Sequence, residues 1–352
     1  MLIDTKCSNC SASLTYLPGA RSLTCETCET SFDIAPAQDT TNVFKESELL
    51  SYLEAFEQTQ EHIEVSTIEC DSCGATAEFG ANIKATHCAF CDTPLVVDKA
   101  QNRNRIKPQG MIPFLINRQR AIQHFNSWIG CRWLAPNALK KHAQHYEHFQ
   151  GVYLPYWTYD CDVATDYRGE RGYERKRKSS SGHTKIDVKW KKVTGSVATS
   201  FDDVMVPGST SLPDKLLNRL EPWDLDALEA YADEYFIGYQ AETYQIDIKQ
   251  GFEDAKDRMQ FDINALIRKD IGGARQFIAA TDSTYSNAFF KHITLPIWVT
   301  SYRYKDKVYQ VLVNGQTGKV HGTYPVSKVK LTFFQILVAL AALGITILTK
   351  DT

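Results

Sequence analysis

The sequence predicts an α+β protein: two small four-cysteine zinc ribbons, an α+β body with antiparallel strands, and a C-terminal transmembrane helix. Three observations predict it. Four CxxC pairs fall within the first 91 residues, alternating and helical apolar patterns intermix between residues 101 and 327, and residues 331–348 carry no charge. With 352 residues, 43% apolar and 23% charged, the composition rules out wholesale disorder and leaves room for several domains.

The ribbons come first. Cys7-x2-Cys10, fourteen residues and Cys25-x2-Cys28 are followed by Cys70-x2-Cys73, fourteen residues and Cys88-x2-Cys91, with an offset of 63 residues at every cysteine. A tetrahedral Zn2+ takes four thiolates, and a CxxC turn aims two sulfurs at one ion, so two such turns across a hairpin close a site. Gly74 suits the left-handed knuckle backbone, where the first copy has Ser11. Pro18-Gly19 marks a turn in the first copy, and Gly80-Ala81-Asn82 in the second. Met1 to Cys7 lacks the apolar core of a secretory signal, so a reducing cytosol is expected, where disulfides do not persist. Four matched pairs also differ from a single redox CxxC before a helix. The expectation is two structural Zn2+ ions held by Cys7, Cys10, Cys25, Cys28 and by Cys70, Cys73, Cys88, Cys91. Four thiolates leave no open position for a catalytic water.

The domain reading is 1–36 ribbon 1, 37–65 helical linker, 66–100 ribbon 2, 101–327 body and 331–348 transmembrane helix. In the linker, residues 47–56 carry apolar side chains at helical spacing, with Ser47 as N-cap. In the body, 112–114 reads as extended, 118–128 and 136–149 as helices, and 151–208 as strands joined by hairpins. Residues 216–236 and 252–271 read as helices, and 293–320 as strands with an Asn314-Gly315 turn. Leu154-Pro155-Tyr156-Trp157-Thr158 echoes Leu295-Pro296-Ile297-Trp298-Val299, either two copies of a half-domain or two similar strand starts. Trp157 and Trp298 read as core residues, with a ligand pocket beside them as the alternative. Cys131 and Cys161 read as buried small residues, and His142, His145 and His148 as a solvated helix face, their spacing of three being poor for a metal.

The net charge of −3 hides a division. Residues 1–100 hold five Lys/Arg against sixteen Asp/Glu, a balance of −11, and the remainder holds 34 against 26, or +8. An acidic ribbon section opposes binding to phosphate backbones. The densest basic run, 168–192, has ten Lys/Arg against three acidic residues around a Ser179-Ser180-Ser181-Gly182 tip. It reads either as a solvated hairpin or as a contact for anionic lipid headgroups.

Leu331 to Leu348 has one strongly polar side chain, Gln335, and spans about 27 Å as a helix, close to a hydrocarbon core. Lys328 and Lys330 precede it and Lys350-Asp351 follow, which favours a cell-membrane protein of single pass with its bulk in the cytoplasm. No phosphate-loop, nucleophile-elbow, HExxH or dinucleotide motif occurs; Gly315-Gln316-Thr317-Gly318-Lys319 has the wrong spacing for a phosphate loop. The sequence therefore points to a non-enzymatic role.

Ile112-Pro113-Phe114, Ala121, Trp128, Leu134-Ala135-Pro136, Gly151-Val152-Tyr153-Leu154-Pro155-Tyr156-Trp157 and Tyr167-Arg168-Gly169-Glu170-Arg171-Gly172, with the tandem ribbons, form a pattern over nearly the whole chain. It resembles the bacterial membrane proteins with TFIIB-type zinc ribbons. Members of that family often carry a primosomal protein N′ (replication factor Y) or helicase-like label, which implies ATPase motifs this chain lacks. Some relatives resemble partners of SPFH-domain and phage-shock-type membrane-stress systems. The resemblance thus implies an adaptor that gathers cytoplasmic proteins at the bilayer. It gives the eight paired cysteines the zinc-ligand role and implies no catalytic residue. The competing readings are a nucleic-acid-binding ribbon protein using residues 168–192, and an enzyme with a pocket in the body.

Overall fold

A computed structural model describes residues 6–34, 46–49, 62–79, 87–91, 93–95, 100–137, 149–178, 184–304 and 307–348. Three short strands, β1 (Leu14–Tyr16), β2 (Ser22–Cys25) and β3 (Ser31–Asp33), make an antiparallel meander around the first two CxxC turns. Gly19 turns the chain between β1 and β2 at φ +79°, a conformation that only glycine adopts without strain. The strand β4 (Ser47–Glu48) then lies along the body.

The second cysteine set is built into the main sheet. Its first CxxC joins β5 (His62–Glu69) to β6 (Thr76–Phe79), followed by β7 (Gln101–Ile106) and β8 (Gly110–Met111). After helix α1 (Arg118–Gly130) come two very long strands, β9 (Gln150–Lys178) and β10 (Thr184–Pro207). The chain continues through α2 (Asp214–Leu217), β11 (Glu229–Ala230), β12 (Gln240–Glu242) and α3 (Ile248–Ile271). It ends with β13 (Arg275–Tyr304), β14 (Lys307–Asn314), β15 (Val320–Gly322) and α4 (Lys328–Leu348). The main sheet runs β11-β8-β13-β9-β12-β6-β5-β7, with β10 on β9, β4 and β14 on β13, and β15 on β14.

Strand β9 changes character along its length. From Gly151 to Tyr159 every residue is buried, as a near-continuous apolar run covered on both faces should be. Beyond Asp160 the pattern alternates: Cys161, Val163, Thr165 and Tyr167 point inward while Ala164, Asp166 and Arg168 face solvent. Here β10, β9 and β13 form a three-stranded blade covered on one face by α3. The helix begins where the Asp247 side chain accepts from Gln250 N and ends at Gly272, φ +63°. Its stripe of Ile248, Phe252, Ala255, Met259, Ile263, Ile267 and Ile271 packs on Trp157, Tyr159, Cys161 and Val163.

Gly251 lets this helix approach closely, since a Cβ there would run into Tyr159 Oη, whose hydroxyl donates to Ile248 O at 2.7 Å. We expect Gly251→Ala to cost about 1–3 kcal/mol of stability in denaturant titrations. Gly130→Ala, where a Cβ meets nothing within 4 Å, should stay within about 0.5 kcal/mol of the parent. Equal midpoints for the two variants would contradict this packing.

The two LPxW segments lie side by side, Leu154 opposite Leu295. Each is held by the segment that leads into a helix from the other end of the chain. Trp298 Nε1 donates to Ile116 O at 2.7 Å, and Trp157 Nε1 to Ile246 O at 2.9 Å. Leu115 and Ile116 N donate to Gly315 O, just as Gln245 and Ile246 N donate to Gly208 O. Gly315 N reaches Pro296 O and Gly208 N reaches Pro155 O, both at 2.8 Å. Parallel pairs complete the correspondence, β8 beside β13 and β12 beside β9. The halves are interlocked: α3 covers the strand of the first half, and the segment before α1 caps the strand of the second.

Several sequence expectations need correction. Residues 216–236 are not one helix: α2 gives way to 3-10 turns at Asn218–Leu220, Leu225–Ala227 and Asp233–Phe236. Pro222 explains the break, because it lacks an N–H and drives Glu221 to an extended ψ of 155°. Ser47 sits in β4 rather than capping a helix, and the expected helix at 50–56 lies outside the described residues. Cys131 is exposed at the end of α1, whereas Cys161 is buried. The expected helix at 138–148, with His142, His145 and His148, lies outside the described residues.

A C-terminal transmembrane helix was also expected. The helical backbone does run over Lys328–Leu348, but its side chains are described only to Ala342. Among the described residues no helix is long and apolar enough to cross a membrane.

Candidate metal centres

The eight sequence-paired cysteines come together in two clusters, Cys7/Cys10/Cys25/Cys28 and Cys70/Cys73/Cys88/Cys91, each with all four sulfurs within 4.8 Å of one another. The closest contacts are 3.5 Å for Cys7–Cys28, 3.4 Å for Cys10–Cys25, 3.5 Å for Cys70–Cys91 and 3.6 Å for Cys73–Cys88. A tetrahedron of thiolates about 2.3 Å from a central ion has edges of about 3.8 Å, so each cluster has the size of a metal shell.

The backbone builds both clusters alike. Cys7 N donates to Ala12 O and Ser11 N to Cys7 O; 63 residues on, Cys70 N donates to Ala75 O and Gly74 N to Cys70 O. Cys25 N to Thr30 O and Cys88 N to Thr93 O repeat the second knuckle. Ser11 and Gly74 both take a positive φ, 58° and 74°, so the serine bears strain that the glycine avoids. In each set the leading cysteine of each knuckle is buried, and the trailing one is more open to solvent.

Two neighbours were missed in the sequence reading. Thr30 Oγ1 lies 3.2 Å from Cys28 Sγ, and Thr93 Oγ1 lies 3.2 Å from Cys91 Sγ. The 63-residue offset superimposes these threonines and could have revealed them. The Thr30 hydroxyl and N–H draw the Cys28 thiol down to about 6. Cys88 falls to about 5 through its bond to Cys73, while that same bond pushes Cys73 up. Each cluster thus presents a ready thiolate at neutral pH, the form a soft or borderline cation binds.

The surroundings of the clusters differ. The first joins the body through Leu14, Tyr16 and Leu23, with Arg21 paired to Glu229 at 2.8 Å. The second is part of a core with Phe90, Ile112, Leu154 and Leu312, where Gln310 Nε2 donates to Phe90 O.

Two polar sites of the body stand out among the described residues. On the blade, β10 bulges between Phe201 and Val204 and β13 bulges between Ser286 and Phe289, both beside Asp160 to Asp162 of β9. There Lys291 Nζ lies 2.8 Å from Asp203 Oδ1 and 3.2 Å from Glu46 Oε1, and Asp203 N donates to Asp160 Oδ1. Burial and the hydrogen-bonded Glu46 carboxyl push Asp160 up to about 7. Asp160, Asp202 and Asp203 are close enough to suggest a cation, but the Lys291 ammonium already supplies the positive charge.

The other site is a cavity of about 20 Å³ beside Trp157, lined in part by Arg105, Tyr244, His292 and Thr294. His292 Nδ1 bonds Ile106 O at 3.1 Å, and burial holds the ring neutral, near 4. The space suits one water molecule, which could meet the otherwise unpaired His292 Nε2 and Thr294 Oγ1. Trp157 and Trp298 are themselves buried core residues.

No family model matches the chain, and no solved structure matches it. The chain is similar to a Bacillus subtilis (strain 168) protein described as uncharacterized protein YdjG, 26% identical over 230 residues. The match covers 64% of this chain and 66% of the relative, just under two thirds of its length.

Proposed function

We propose that the chain is a membrane-anchored, cytoplasm-facing scaffold in which two structural zinc ions stabilise ribbons that bind other proteins. The observation that carries this reading is α4. Phe333, Phe334, Ile336, Leu337, Val338 and Leu340 are all 43–66% exposed, and together they cover about two thirds of the helix circumference. Thr332, Gln335, Ala339 and Ala342 fill the rest without a charge. A helix apolar on nearly every side needs an apolar solvent, and nothing among the described residues supplies it. A bilayer does, and the Lys328–Leu348 backbone spans about 31 Å.

The base of α4 suits an interface. Lys330 Nζ donates to Trp133 O, Ala135 O and Asn137 Oδ1, and the exposed Trp133 meets Phe334 edge-on at 5.1 Å. Tryptophan and lysine gather at the headgroup level of bilayers.

The scaffold part rests on four-sulfur shells that leave an ion no open position. An open groove of about 480 Å³ beside the second cluster, lined by Thr67, Glu69, Gln101 and Arg103 among others, offers a polar partner a docking place. Partners of the SPFH or phage-shock type are those the sequence resemblance implies.

Two measurements test the reading. The full chain should remain in the membrane pellet after alkaline carbonate extraction, and removing residues 331–352 should release it. Pull-down from detergent-solubilised membranes should recover a protein that Glu69→Lys in the groove loses. Extraction of the intact chain would refute the anchor; the absence of any groove-dependent protein would refute the scaffold.

A further inference from the structure

Past Gly172 the blade loses β13 and α3 and continues as a two-stranded ribbon of β9 and β10. Such a hairpin is marginal in water and wants a partner. Its side chains are unusual for a free ribbon. Tyr173, Ile186, Trp190 and Phe277 are 44%, 47%, 42% and 55% exposed. Register places three of them on one face: Trp190 pairs with Gly172, Ile186 with Lys176, and Phe277 with Glu170. Trp190 and Val188 close over Gly172, where any Cβ would collide with them.

Exposed cations lie on both faces of the ribbon: Lys176 and Lys192 share the face of Trp190, while Arg175, Arg177, Lys189 and Lys191 sit on the opposite one. Of the acidic neighbours, Glu174 pairs with Arg275 at 2.9 Å and Asp187 with Arg177 at 3.8 Å, while Glu170 sits opposite Phe277. The ribbon end therefore combines a cationic rim with an aromatic and aliphatic centre.

We infer that the blade tip is a docking site for an anionic lipid surface, inserting Ile186, Trp190 and Phe277 at the headgroup boundary while Lys176 and Lys192 on the same face meet the phosphates and carboxylates and the cations of the other face add to the attraction. Base stacking could use Trp190, but it has no use for the aliphatic Ile186 on the same face; the acyl boundary does. The site is separate from α4. Ser327 N bonds Leu134 O near the start of β9, whereas the tip lies some 28 residues further along that strand, about 90 Å of extended chain. The inference rests on the tip alone and holds whether or not α4 spans a bilayer.

The test uses the full chain held in uncharged phosphatidylcholine nanodiscs, mixed with vesicles of phosphatidylcholine with or without phosphatidylserine. Co-sedimentation should occur only with phosphatidylserine and fall as salt rises. Each cation near such a surface contributes roughly five-fold in affinity. The combined variant Lys176→Gln, Lys192→Gln, both on the face of Trp190, should therefore bind about 25-fold less. Phe277→Ser, at an exposed position, should weaken binding without changing the salt dependence, with circular dichroism confirming the fold of both variants. Equal binding of parent and variants to anionic vesicles would overturn the proposal. So would tighter, tip-dependent binding of duplex DNA or RNA than of vesicles.

Discussion

Purified under reducing conditions, the chain will carry two zinc equivalents, and Cys88→Ser will lose one of them together with the fold of the body. Cys88 is buried beside Phe90 in the same core as Leu154, Leu295 and Leu312, so a metal bound there would tie the CxxC turn between β5 and β6 to the centre of the sheet. Apparent zinc binding in small ribbons reaches about 10–16 kcal/mol, comparable with the entire stability of a domain. Loss of one thiolate should remove most of that contribution. Cys28→Ser should also release one zinc, but Cys28 is exposed and the damage should stay with β1 to β3. Elemental analysis paired with thermal unfolding distinguishes the two. A Cys88→Ser protein with parental melting behaviour would show that the second centre is not structural.

Lys291→Met should destabilise the chain by about 3–5 kcal/mol, with the deficit growing as pH rises. Removing one partner of a buried ion pair leaves the other charges uncompensated, here Glu46 and Asp203. The pH dependence follows from Asp160. Its folded value, raised to about 7, exceeds the ordinary carboxylate value of 3.8, so the folded state holds that proton more tightly than the unfolded chain does. The stabilisation from this group is complete below about pH 4 and is lost as pH climbs through 7. Above 7 a further negative charge appears beside Glu46, and the variant lacks the Lys291 ammonium that faces both. Denaturant midpoints should therefore separate parent and variant more at pH 8 than at pH 5. A constant gap would mean that Asp160 does not titrate in this range.

The two cysteine clusters could be read from the sequence because their geometry is local: a CxxC turn brings its own two sulfurs together, and the 63-residue offset shows that the arrangement occurs twice. The α3 stripe was visible for a similar reason, since one long helix buries one face over six turns. The first half of β13 was not visible. Ala-Ala-Thr-Asp-Ser-Thr-Tyr-Ser-Asn-Ala, residues 279–288, has too little apolar contrast to announce a strand, and it is held by its register with β9. The ion-pair network was equally hidden, because Glu46, Asp160, Asp203 and Lys291 meet only where two bulges flank one strand. Whether the cysteine sets stand apart or join the body was also beyond local pattern, since β6 finds β12 some 160 residues later.

The interlocked halves bear on how the chain is made. Strand β9 is complete when residue 178 has been synthesised, yet α3 and β13, which cover its inner face and long edge, begin only at residues 248 and 275. At roughly 5–20 residues per second, the ribosome needs about 6–25 s to add the 125 residues from the start of β9 to the start of β13. For that interval Gly151-Val152-Tyr153-Leu154-Pro155-Tyr156-Trp157 is an uncovered apolar edge on a nascent polypeptide. The halves cannot mature one after the other, and production of this protein depends on shielding the first until the second emerges.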